Sequence, residues 1–264
     1  MTSGLAALSG AALGYLGASV GFQWNLFRRQ EQDWHIWRNL LWAAFGLHTL
    51  ALLLVGLSLG HAPLSGMAES LGSLAWVVVG LYLILGKVWK MEVLGAVAAP
   101  AAFAMTCFSL LVLSTDPGLN PSKSFWFYLH VGSYMVGYGA FVLAAFCALL
   151  YFVQVRLLKA KKVWGMFRLM PSLDALDRAA YRLILAGFPL MLLGLTTGMV
   201  MSNWVFAFSD IKNQMVLVTL CVYLAYLHLR LVGGWQGRRV NLLLLVASAF
   251  VLLSFLAPGR FHRF

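Results

Sequence analysis

Charge is what this 264-residue chain has least of. Only 10% of its residues are Asp, Glu, Lys or Arg, just 8 are acidic, and 62% are hydrophobic at a mean hydropathy of +0.85. A water-soluble domain needs polar side chains over its surface, so this composition excludes one and makes lipid the solvent for most of the chain. Cysteine is scarce too. Cys107, Cys147 and Cys221 lie far apart inside apolar runs, with no C-x-x-C and no C-x-x-C-H. An odd, widely spaced set excludes a disulfide framework, a covalent haem attachment on this chain and a thiol pair for reduction. No basic stretch precedes the first apolar run at Leu5, so that run is expected to stay as a membrane span and not to be cleaved. Neither an internal repeat nor a low-complexity tract is present, and a single transmembrane domain over 1–264 is expected.

Long hydrophobic runs fill the rest. Eight spans of roughly 20 residues are expected, at about 5–26, 38–60, 69–87, 91–114, 125–156, 180–202, 213–232 and 240–257. The fold class is therefore all-α, a bundle of eight transmembrane helices. The first span is rich in Gly and Ala, which suits close helix packing. The connection after span five is the longest, and its end, Pro171–Leu176, reads as a short amphipathic helix started by Pro171 and capped by Ser172. Basic residues gather in alternate connections: 15 of the 19 fall on one side, among them Arg156, Lys159, Lys161 and Lys162. That bias puts this side in the cytoplasm and both termini outside. It also accounts for the net charge of +11 without nucleic acid.

An ionisable group within a span is costly and marks a functional site by default. The fifth span, opening at Phe125, carries His130 in its first turns, with Tyr134 and Tyr138 at i+4 and i+8 on the same helical face. His48 lies near the middle of span two and His228 in the inner half of span seven. His262 sits just beyond span eight, on the same side as His130. Neutral imidazoles paired across a cavity suit bis-His haem. The competing readings are a polar contact between helices for His48 and His228, a packed core histidine for His130, and a disordered tail for His262. His35 and His61 fall in connections and read as solvated. Between spans six and seven runs an aromatic stretch from Trp204 through Phe206 and Phe208 to Asp210 and Lys212. It suits a flat apolar ligand, and equally an aromatic belt at headgroup depth.

From Phe125 onward the chain resembles the CcsA/ResC-type cytochrome c assembly proteins. Leu129-His130-Val131 looks like the family's outer histidine. Tyr181-Arg182-Leu183-Ile184, Gly187-Phe188-Pro189 and Gly194-Leu195-Thr196-Thr197-Gly198 are similar to the approach to its haem-binding loop. Tyr226-Leu227-His228-Leu229-Arg230 and the Gly234–Arg239 turn look like its membrane histidine and basic turn. The family's tryptophan-rich loop is reduced here to Trp204, with Phe206 and Phe208 as substitutes, Asp210 at the position of the motif's Asp and Ile211 in place of its Pro. The short chain and the Phe45–Thr49 context around His48 are closer to the small YpjD/HemX-like branch.

The resemblance implies transient binding of b-type haem and its transfer to the outer face in cytochrome c biogenesis. An inner pair, His48 and His228, would hold haem in transit. An outer pair, His130 and His262, would hold it beneath the 204–210 loop, where Trp204, Phe206 and Phe208 pack on the porphyrin and Asp210 steadies Lys212 or a ligating histidine. At 1.5 Å per residue His48 lies about 16 Å and His228 about 6 Å from the inner surface, which leaves open whether they share one iron. A second membrane assembly protein and apocytochrome c are the implied partners. Two other readings stand beside this one: a regulator of haem biosynthesis acting through the basic segment Arg156–Arg182, and a b-type electron-transfer cytochrome.

Overall fold

A computed structural model describes residues 2–28, 34–64, 66–113, 124–161, 166–204 and 210–256. They form nine α-helices: α1 (Thr2–Arg28), α2 (Trp34–Leu59), α3 (Met67–Val88), α4 (Gly95–Leu113), α5 (Phe125–Lys159), the single turn α6 (Met166–Leu169), α7 (Leu173–Met201), α8 (Ile211–Leu231) and α9 (Arg238–Leu256). One turn of 3-10 helix, Glu92–Leu94, leads into α4. Seven of these helices, α1–α5, α7 and α8, are long and apolar enough to cross a bilayer, and no strand occurs among the described residues. The protein is an all-α, multi-pass membrane protein. The eight long helices match the eight expected spans; α9, which opens on Arg238 and Arg239, is the one not among the seven.

Two elements differ from expectation. The amphipathic piece at 171–176 is not a separate helix but the first turn of α7, which runs unbroken for 29 residues. Nothing in Asp177-Arg178-Ala179-Ala180 stops a helix, since it holds neither Gly nor Pro. His35 lies in the first turn of α2, where it is exposed, and not in a connection.

The chain falls into two compact units, Met1–Gly118 with Val153–Ser172, and Leu119–Phe152 with Leu173–Phe264, so that α5 contributes to both. In the first unit α1 and α2 form a tight antiparallel pair. A Cβ on Gly14 would sit 2.7 Å from Ala44 Cβ, and one on Gly21 would sit 2.0 Å from the Trp37 ring. Small residues at such points let backbones approach, which is the main source of helix affinity where lipid competes for apolar contact. α3 joins α2 through a stacked Phe45–Trp76 pair, 5.2 Å between centroids, and a Trp76 Nε1–H bond to Thr49 Oγ1 at 2.8 Å. Pro100 lies inside α4 and has no N–H for the carbonyl of Ala96 four residues back. Gln23 of α1 supplies the missing donor, its Nε2 lying 2.8 Å from Ala96 O. Arg38 pairs with Glu92.

The second unit is built from α5, α7, α8 and α9. Phe141 of α5 stacks on Tyr223 of α8 at 3.9 Å, and Tyr223 reaches Ser248 of α9 at 3.4 Å. α7 meets α5 along small residues: a Cβ on Gly187 would lie 2.9 Å from the Phe141 ring. The N-terminal end of α5 and the C-terminal end of α7 come together at one end of this unit. The start of α7, the end of α8 and the start of α9 come together at the other.

Candidate functional site

At the first of these ends the imidazole of His130 lies in a notch on α7. Its Nδ1 is 2.7 Å from the carbonyl oxygen of Gly194. A carbonyl can only accept, so in the neutral ring Nδ1 carries the proton and Nε2 the lone pair. The notch exists because position 198 has no side chain: a Cβ there would stand 2.6 Å from His130 Cε1 and 2.8 Å from Nδ1. Gly194, one turn earlier on the same face, does the same for the next aromatic of α5, since its Cβ would meet the Tyr134 ring at 2.9 Å. Tyr134 in turn packs edge-on against the imidazole, 4.9 Å and 85° between rings, and stacks on Tyr138 at 5.9 Å. The i, i+4, i+8 face of α5 thus lies on an i, i+4 glycine face of α7.

The turn after α7 closes on the same glycine. Ser202 N–H donates to Gly198 O at 3.1 Å and Trp204 N–H to Met199 O at 2.7 Å. Asn203 and Trp204 both take positive φ, +51° and +64°, which turns the chain back and leaves the indole exposed. Asp210 is buried and precedes α8; its carbonyl accepts from Gln214 N–H, so it is the cap residue of that helix. Asp is a favoured residue type at this position, since a carboxylate at a helix N-terminus is favourable. His130 and the two ends of the aromatic stretch therefore belong to one end of the unit. Phe206, Phe208 and His262 lie outside the described residues.

The remaining histidines are placed differently from one another. His48 is fully buried in the first unit, with Nδ1 2.9 Å from the hydroxyl of Tyr15 and no partner for Nε2. His228 is exposed on α8, in a row with Cys221, Leu224, Ala225 and Leu231. His61, expected to be solvated, is buried, its Nδ1 2.9 Å from Ala62 O. The short loop it belongs to folds back over the end of α2, where Ser73 Oγ–H holds Pro63 O at 2.8 Å. Among the described residues no three His, Cys, Asp or Glu side chains converge as a metal site would require.

At the other end of the second unit lies a cluster that patterning did not reveal. Asp177 of α7 accepts from Arg230 Nη2 at 2.7 Å on one carboxylate oxygen and from Asn241 Nδ2 at 2.6 Å on the other. The two charged side chains are only 6% and 9% exposed, and the guanidinium lies 4.9 Å over the ring of Tyr181. Asp177 was legible only had α7 been read as continuous, since a carboxylate inside a spanning helix asks for a partner. Arg230 was visible as part of the basic turn beside His228.

Comparison with known proteins decides the family. Residues 64–258 match the family model described as Cytochrome C assembly protein. The chain belongs to that family. It is 31% identical over 249 aligned residues to the Cytochrome c biogenesis protein CcsA of Microcystis aeruginosa, with 75% of each chain covered. It is 30% identical to CcsA of a Synechococcus species over 248 residues, 83% of this chain and 82% of the relative, and 29% identical to CcsA of the alga Porphyra purpurea, with 75% of each covered. The protein is thus a multi-pass membrane protein of cytochrome c biogenesis. The matched region takes in α3 to α9, including the whole His130 notch.

Proposed function

We propose that this protein binds b-type haem transiently in a bacterial inner membrane and presents it on the outer face for attachment to apocytochrome c. The observation that carries the reading is the His130 notch. A histidine that is to bind iron must keep one ring nitrogen unprotonated and be held in orientation by the other. The Nδ1–H bond to Gly194 O holds the ring in orientation and puts the lone pair of the neutral imidazole on Nε2, the nitrogen that would ligate iron. His262 is the second outer ligand in this reading, and His48 and His228 serve an inner stage of transit. Trp204, Phe206 and Phe208 pack against the porphyrin, and Asp210 anchors the far end of their loop at the start of α8.

The basic faces of the spans lie in the cytoplasm, with both termini outside, so that haem moves from the His228 end of the second unit toward the His130 end. Haem itself supplies the chemistry that matters downstream, two vinyl groups that take thiols; this chain's own residues bind it, orient it and release it. A second membrane assembly protein that escorts the thiol-bearing apocytochrome is the partner that the family resemblance supports; this chain's own cysteines, Cys107, Cys147 and Cys221, form no pair.

The test is haem stoichiometry in purified protein. Wild type is expected to carry a six-coordinate low-spin spectrum. His130→Ala and His228→Ala should each lower bound haem, while His35→Ala should not. Haem content unchanged in both ligand variants would reject this function in favour of regulation through the basic segment Arg156–Arg182.

A further inference from the structure

The carbonyl oxygen that holds His130 is asked to accept more than it can. Gly194 O has two lone pairs. In the unbroken α7 one of them takes the N–H of Gly198, four residues on. The other takes Nδ1–H of His130 at 2.7 Å. A third donor stands beside them, since the buried hydroxyl of Thr197 lies 3.0 Å from Gly194 O and 2.7 Å from Leu193 O. Leu193 O is no less in demand: it takes the N–H of Thr197 within the helix and lies 3.0 Å from the hydroxyl of Thr196. Five donors thus face two oxygens with four lone pairs. Without His130 the count is exact. With it one donor is in excess, and Thr196, which is exposed, is the one that can turn away. The Thr197 hydroxyl is buried and among the described residues donates only to these two carbonyls.

We propose that Thr197 is a positioning residue for His130, and that its hydroxyl loosens the grip of Gly194 O on the imidazole. The inference rests on the reading of His130 as the outer haem ligand. Donors that share one oxygen compete for its electron density, so each bond is weaker than it would be alone. A shared Gly194 O therefore pulls less on Nδ1–H, leaves less negative charge on the ring and makes Nε2 a weaker donor to iron. A threonine bonded back to the carbonyl four residues earlier is common in helices and by itself implies no role. What sets Thr197 apart is that its second acceptor is the oxygen His130 uses. The consequence suits a protein that must give its haem away. The site holds iron less tightly than the same histidine would with an unshared partner.

Thr197→Val tests this in the full chain, because valine keeps the shape and removes the hydroxyl. Haem affinity, read by spectroscopic titration, is expected to rise about 3-fold, the equilibrium equivalent of one average hydrogen bond between membrane helices. The reduction potential should fall, because the imidazole gains electron density, a change that altered packing alone would not produce. Thr197→Ser, which keeps the hydroxyl, should match wild type in both. In a His130→Ala background Thr197→Val should leave the remaining haem unaffected. Affinity and potential that stay put or move the other way in Thr197→Val would overturn the inference, while His130 stands as a ligand. An effect that persists without His130, or a Ser variant that behaves like the Val one, overturns it equally. If His130→Ala itself keeps its full haem, the ligand reading falls and the inference with it. Haem-free protein gives a second readout. The proton resonance of His130 Nδ1–H, identified by its absence in His130→Gln, should move downfield in Thr197→Val as its bond strengthens, and an unmoved resonance would refute the competition for Gly194 O.

Discussion

Adding one methyl group at position 198 should unseat the imidazole of His130. In Gly198→Ala the new Cβ would stand 2.6 Å from Cε1 and 2.8 Å from Nδ1, nearly an ångström inside ordinary contact. Helix backbone cannot yield that much locally, so the ring must rotate and give up its 2.7 Å bond to Gly194 O. Overpacking of this kind costs about 1–3 kcal/mol, and an interhelical hydrogen bond in a membrane contributes about 0.6 kcal/mol on average. Ala is the better helix former by up to about 1 kcal/mol, which offsets part of the loss, so overall stability should fall only modestly. Haem affinity should fall further, by about 10–100-fold, because the ligand loses the partner that fixes its proton and its orientation. Haem titration of the purified variant measures this. Gly132→Ala is the control: it lies on the same helix as His130, two residues away, with nothing within 4 Å of the added Cβ, and should bind as wild type. Combined with His130→Ala, the Gly198 substitution should cost no further haem. Wild-type affinity in Gly198→Ala alone would refute the notch as the seat of the ligand.

Other outcomes follow from the same structure. Asp177→Ala leaves Arg230 charged, buried and unpaired, and should cost about 3–5 kcal/mol or block assembly, read as a fall in melting temperature. Arg178→Ala removes only an exposed i,i+4 pair with Asp174 and should change stability by less than about 0.5 kcal/mol. His61→Ala should lower stability by about 1 kcal/mol through its lost bond to Ala62 O while leaving haem content unchanged, since the group is structural. A reporter fused after Lys162 should be active in the cytoplasm and one fused after Arg263 outside; the reverse would contradict the charge-based orientation.

Most of the fold could be read from hydropathy, because a membrane span is the simplest of sequence patterns. The boundary errors have local causes. Hydropathy shortens α7 because its first turns, with Asp174, Asp177, Arg178 and Arg182, do not look like a span, although nothing in them ends a helix. Its 29 residues rise about 44 Å, well beyond the roughly 30 Å of hydrocarbon, so a polar first part is what such length requires. Of the site, residue type alone singled out the six histidines, but only contacts separate them. His48 and His61 are buried with partners on other segments or on the backbone, whereas His228 is exposed on α8, and periodicity cannot tell these apart. Gly194 and Gly198 were visible as motif residues, yet their use, to admit two rings of α5, depends on the pairing of helices about 60 residues apart in sequence. Tyr15 and Asn241 gave no signal, since each lies in an unremarkable apolar run and acquires meaning only from its partner.

Return of free imidazole to His130→Ala tests the central claim most directly. Removing the side chain should lower bound haem and leave a gap beside Gly194 and Gly198 that a small imidazole can enter. Added imidazole should then restore part of the haem and the six-coordinate spectrum, with no effect on wild type. If His130→Ala keeps its full complement of haem, or loses it with no recovery although the protein remains folded, His130 is not an iron ligand.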